Sequence, residues 1–120
     1  MEKISSHKDL LVWQRSMDLV QTVYQITAKF PPGEQFGLVS QMRRAAVSTP
    51  SNITEGYGRQ AMGEYRHHFS MARGSLLELE RQFLLCRRLK YLESEEADSV
   101  PPEIGELSKM LASLISKLRD

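Results

Sequence analysis

Between Tyr65 and Cys86, seven side chains (Tyr65, Phe69, Ala72, Leu76, Leu79, Phe83 and Cys86) advance by steps of four and three. Three heptads of this spacing hold one apolar stripe along one side of an α-helix. A repeat averaging 3.5 residues is the seam of a left-handed bundle, in which helices lie side by side over much of their length. A half-buried strand would need alternation by two, which no run of four to eight residues provides, and no Asn-Gly or Asp-Gly hairpin turn occurs. The seam predicts a long helix, roughly from Met62 to Tyr91.

Three further segments carry the same period. Leu10, Trp13, Met17, Val20 and Tyr24 share one face of a first helix, with Ser6 and Asp9 as a capping pair at its start. Trp13 and Tyr24 are therefore expected to be largely buried in the bundle. A second row, Val12, Leu19, Val23, Ile26 and Phe30, widens that face beyond one partner helix and is the candidate oligomer contact. The helix must end near Phe30, ahead of Pro31-Pro32-Gly33. A second helix starts at about Glu34 and runs through Phe36, Val39, Met42, Ala46 and Ile53, with a kink between Ala46 and Pro50. Gly56-Tyr57-Gly58 breaks it. Ser94 to Pro102 is acidic and proline-containing and reads as a connection, holding at most a short helical turn. Ile104, Leu107, Leu111, Leu114 and Leu118 then form a fourth helix. Short connections make neighbours antiparallel, so the expected fold is all-α, an up-down-up-down four-helix bundle with a proline kink in helix two. At 120 residues it is one domain, residues 1–120.

The apolar runs are too short and too charged to span a bilayer, Met1 to Lys8 lacks the apolar stretch of a secretory signal, and a lone Cys86 allows no intramolecular disulfide. A cytoplasmic protein is the expectation.

Catalytic patterns fail on context. Gly56-Tyr57-Gly58-Arg59-Gln60-Ala61 matches a dinucleotide fingerprint, but it separates two helices where the motif requires a strand before it. Glu64 and His67 make a single Glu-x-x-His, whereas a di-iron bundle needs two plus a glutamate from each of two other helices. His67 and His68 diverge around a helix, one toward solvent and one toward an interface edge. Cys86 lies on the seam as a small hydrophobe. Ser48, Thr49, Ser51 and Asn52 flank Pro50, where short polar side chains bond backbone groups freed by the proline. Asn52-Ile53-Thr54 is a glycosylation acceptor only in a secreted chain. The expectation is a non-enzyme with no metal and no cofactor.

Charge is where the sequence becomes specific. The net charge is only +1, yet residues 41–90 hold nine basic against four acidic side chains, and residues 91–120 hold three against seven. Eight of those nine are arginines, suited to bidentate phosphate or carboxylate contacts. Arg59, Arg66, Arg73 and Arg87 recur at multiples of seven, with Glu80 in the gap, and form a stripe beside the seam. With Arg43, Arg44 and Arg88 they are the candidate nucleic-acid-binding residues, expected to bind by charge with strong salt sensitivity. The competing expectation is pairing with acids of a neighbouring helix, such as Glu103 and Glu106. Charge clustering alone does not separate the two.

Leu11-Val12-Trp13-Gln14, Phe36-Gly37-Leu38, Gln41-Met42-Arg43-Arg44-Ala45, Pro50-Ser51-Asn52-Ile53-Thr54-Glu55-Gly56 and Gly74-Ser75-Leu76 with Glu78 and Glu80 occur in an order that resembles the 23S rRNA intervening-sequence proteins, also called S23-type or four-helix-bundle proteins, over roughly residues 8–119. Thr54 stands where that family usually has alanine, and Pro101-Pro102 interrupts a region where relatives often start helix four earlier. The resemblance implies a four-helix bundle assembling as a homopentamer, without established catalysis. It also implies kinship with accessory proteins of diversity-generating retroelements, whose basic pentamer surface binds nucleic acid and a reverse transcriptase. The expected function is a non-enzymatic oligomeric module contacting RNA or other nucleic acid through arginines. The alternative is an oligomeric scaffold that binds a protein partner without nucleic acid.

Overall fold

A computed structural model describes residues 10–58 and 62–117. Four helices are present: α1 (Leu11–Thr27), α2 (Ser40–Tyr57), α3 (Met62–Arg88) and α4 (Ser94–Lys117), with no strand among the described residues. α1 packs on α2, α2 on α3, α3 on α4, and α4 closes back onto α1. The contacts fix the directions. Trp13 meets Thr54 while Thr27 meets Arg43, Met42 meets Cys86 while Asn52 meets His68, and Arg15 meets Glu106 while Lys29 meets Glu93. In each pair of helices one chain ascends as the other descends, so the bundle is antiparallel. Its 45 × 25 × 21 Å extents follow from α3, whose 27 residues span about 40 Å at 1.5 Å per residue.

The seam of α3 is the core as its spacing predicts: Phe69, Ala72, Leu76, Leu79, Phe83 and Cys86 are buried against Met42, Ile53, Ile104, Leu107 and Leu111. On α1 the two apolar rows exchange roles. Val12, Leu19, Val23, Ile26 and Phe30, expected as an outward contact, are buried within the bundle, so they are not a surface open to another subunit. In the other row Leu10 is buried and Trp13 and Val20 are half-buried. Met17 and Tyr24 are exposed, contrary to the burial expected of Tyr24. Ser16 and Thr27 complete the buried stripe by satisfying their hydroxyls on the Trp13 and Val23 carbonyls. Small polar residues that bond their own helix count as core, and a pattern of apolar letters misses them.

The helix boundaries also shift. Leu10, in extended conformation, caps α1; the Ser6–Asp9 pair lies outside the described residues, as does Leu118. The α-helix stops at Thr27, and tighter bonds from Lys29 N–H to Ile26 and from Phe30 N–H to Thr27 carry the chain to Pro31. Helix two is joined from a 3-10 turn (Pro32–Glu34), a π turn (Gln35–Val39) and α2, with non-helical backbone at Gly37 (φ −111°, ψ −106°). Pro50 is buried inside α2, flanked by Thr49 Oγ1 donating to the Ala45 carbonyl and Asn52 Nδ2 to the Ser48 carbonyl. α2 ends at Tyr57 with Gly58 as its C-cap, within the Gly56-Tyr57-Gly58 break.

The largest correction is α4, which begins at Ser94 and passes through Pro101 and Pro102. Glu93 starts it as one half of a capping box: its carbonyl accepts from Ala97 N–H, and its own N–H donates to Glu96 Oε1 at 3.0 Å. The prolines deprive the carbonyls of Ala97 and Asp98 of helical donors, but Asp98 is exposed and Ala97 only half-buried. Buried Val100 sits four residues before Ile104, so the apolar stripe crosses the proline pair without interruption.

Candidate nucleic-acid interface

The arginines sort by what they touch. Arg15 of α1, not foreseen in any role, takes both acids expected to neutralise the stripe. It meets Glu103 Oε2 at 2.7 Å and Glu106 Oε1 at 3.0 Å, which raises its own pKa and lowers that of Glu106. Arg43 turns back onto α1. Its Nε donates to Thr27 Oγ1 at 2.9 Å, a terminal nitrogen donates to the Tyr24 carbonyl, and the guanidinium lies 4.4 Å from the Tyr24 ring centroid. Arg73 is exposed along the α3–α4 edge, with Nε 3.3 Å from Ser108 Oγ, and Arg66 is half-buried on α3. Arg44, Arg81, Arg87 and Arg88 are exposed, and Arg59 lies outside the described residues.

These residues do not gather into one patch. Arg73 lines a groove between α3 and α4 with Leu77 and Ile115, whereas Arg44 lines grooves on both flanks of α2. Arg81, absent from the sequence candidates, stands seven residues before Arg88 on the same exposed α3 face as Leu77 and Leu84. Among the described residues, Arg44, Arg73, Arg81, Arg87 and Arg88 have no carboxylate within salt-bridge distance.

The polar residues singled out in the sequence have local partners or face solvent. His68 Nδ1 meets Asn52 Oδ1 at 3.2 Å, His67 is exposed, and Ser75 Oγ donates to Ser48 Oγ at 2.9 Å across the α2–α3 contact. Burial pushes the Cys86 thiol up to about 12, so it stays protonated beside Met42. Among the described residues no group of three or more His, Cys, Asp or Glu side chains is placed to hold a metal ion, and no helix is long and apolar enough to cross a membrane.

A solved protein of unknown function from the S23 ribosomal protein family of Bacteroides thetaiotaomicron has the same fold. Its TM-score is 0.81 at 21% identity, covering 88% of this chain and 96% of that one. No curated protein matches the sequence. The family model described as 23S rRNA-intervening sequence protein matches residues 8–113, nearly the whole bundle whose seams and caps are set out above. The chain belongs to the 23S rRNA-intervening sequence protein family.

Proposed function

We propose that this protein is a non-enzymatic, cytoplasmic, oligomeric helical module that contacts RNA or other nucleic acid by charge, chiefly through Arg73, Arg81, Arg87 and Arg88 of α3. The observation that carries this reading is the engagement of Glu103 and Glu106 by Arg15. The acids best placed in the sequence to quench the arginine stripe are occupied on the α1–α4 side, so the α3 guanidinium groups keep their charge for an outside partner. Ribosomal RNA in the name of the family, and the nucleic-acid-binding pentamers that the resemblance brings in, point the same way. A second reading, a scaffold for a protein partner, draws on Leu77, Leu84 and Leu85, which lie exposed among the same arginines.

The test is anisotropy with labelled single- and double-stranded RNA at two salt concentrations, with Arg73→Gln/Arg88→Gln as the variant. The expected result is binding at low salt, weaker at high salt and weaker again in the variant. Absence of binding at low salt, or an indifferent variant, leaves the scaffold. Light scattering is expected to give a pentamer, and a clean monomer at micromolar concentration contradicts the assembly.

A further inference from the structure

On the side of the bundle away from the α3–α4 edge, α1, the π turn and α2 enclose an open groove of about 610 Å³, lined by Tyr24, Phe36, Val39, Arg43, Arg44 and Val47 among others, with no acidic residue in the lining. Phe36 is 96% exposed, an unusual state for a phenylalanine in a turn that is otherwise pinned. The pin is Glu34. Its Oε1 accepts from Leu38 N–H, and its Oε2 accepts from Tyr91 O–H at 2.9 Å, tying the turn to the α3–α4 connection at the same end of the bundle. Opposite, Tyr24 is 43% exposed and its ring is braced by the Arg43 guanidinium, which two hydrogen bonds hold in place. Arg44 is exposed at the groove wall.

We infer that this groove binds an unpaired stretch of nucleic acid, with a base stacked on Phe36 and the neighbouring phosphates on Arg44 and Arg43. An exposed aromatic face beside fixed guanidinium groups is the combination that holds single strands, because an unpaired base offers a free π-face and its backbone offers the charge. A duplex offers the charge alone. The volume lies within the roughly 300–1,000 Å³ range of sites that enclose a small ligand, enough for a base and its phosphates but not for a helix. The inference rests on the nucleic-acid reading above and adds to it a strand preference and a second contact region.

The experiment compares single-stranded and duplex RNA of equal length by anisotropy for the intact protein, Phe36→Ala, Phe36→Trp, Arg44→Gln and Arg73→Gln/Arg88→Gln. Circular dichroism and light scattering on each variant are the folding and assembly controls. Phe36→Ala is expected to weaken single-strand binding roughly tenfold while leaving duplex binding unchanged, since stacking one base contributes about 1–3 kcal/mol. Phe36→Trp should restore it, and Arg44→Gln should weaken both forms. If Phe36→Ala has no effect while the α3 double variant lowers binding, the groove is overturned and the α3 interface stands. If no variant binds less, or nothing binds, both fail. A fall in assembly mass for Phe36→Ala without RNA means that Phe36 packs on a second copy, which also overturns the groove.

Discussion

Thr54 illustrates how much one hydroxyl decides. The resemblance leads to an expectation of alanine there, and the extra oxygen accepts the Trp13 indole N–H at 3.0 Å, a polar link from α1 to α2. Thr54→Ala is expected to lose about 0.5–1.5 kcal/mol of stability, the net worth of one such bond, measured as a shift in denaturation midpoint with unchanged slope. Gly56 makes the opposite point. A Cβ there would stand 2.9 Å from His68 Cβ and 3.0 Å from Phe69 Cδ1, nearer than neighbours tolerate, so only glycine lets α2 approach α3 this closely. Alanine would gain about 1 kcal/mol in helix propensity but costs about 1–3 kcal/mol by overpacking against a core ring. Gly56→Ala is therefore expected to lower the thermal midpoint, and an unchanged or raised midpoint would refute the tight contact. In the sequence, Gly56 looks like any turn glycine, because the reason for it sits on another helix.

At the scale of elements, the period was the legible part and the punctuation was not. The stripe of α3 is buried where its spacing puts it, since long-range packing selects the same face that the heptad marks. From the sequence α4 comes out short because Pro101-Pro102 looks like a boundary, while Glu93 with Glu96 three residues on is the sign of its true start. That start is reinforced by Lys29, whose ammonium bridges Glu93 and Glu96 from the turn that follows α1. Partial burial works to raise the Glu96 pKa, but the hydrogen bonds from Lys29 and the Glu93 amide prevail and hold it below the ordinary 4.5. A carboxylate with a depressed folded pKa lends stability above the unfolded value, and that stability drains away as pH falls through the folded one. Melting temperature is thus expected to drop on acidification below about 4.5, and to drop less in Glu96→Gln, whose starting stability is lower. Identical acid profiles for the two proteins would mean that the box and its lysine contribute nothing to folding.

For the molecule as a whole, net charge is a poor guide to behaviour toward a polyanion. A sum of +1 conceals a basic middle and an acidic end, and folding divides them further by drawing Glu103 and Glu106 onto Arg15. The sequence exposed the imbalance but not this partition, because the pairing spans most of the chain and depends on α4 closing onto α1. Two substitution sets separate local contact from overall charge. Salt dependence of binding counts the phosphates neutralised, with a log–log slope of roughly −0.7 to −0.9 per contact, whereas distant charges act through a screened field that fades beyond about 10 Å at 0.1 M salt. Arg81→Gln/Arg88→Gln is therefore expected to make the slope shallower by about 1.4–1.8. Glu95→Gln/Asp98→Asn, on exposed positions of the first turns of α4, raises net charge by the same two units that the arginine pair removes. It is expected to strengthen binding slightly at low salt with the slope unchanged. If the acidic pair shifts the slope as much as the arginine pair does, attraction is governed by total charge and no defined arginine surface exists.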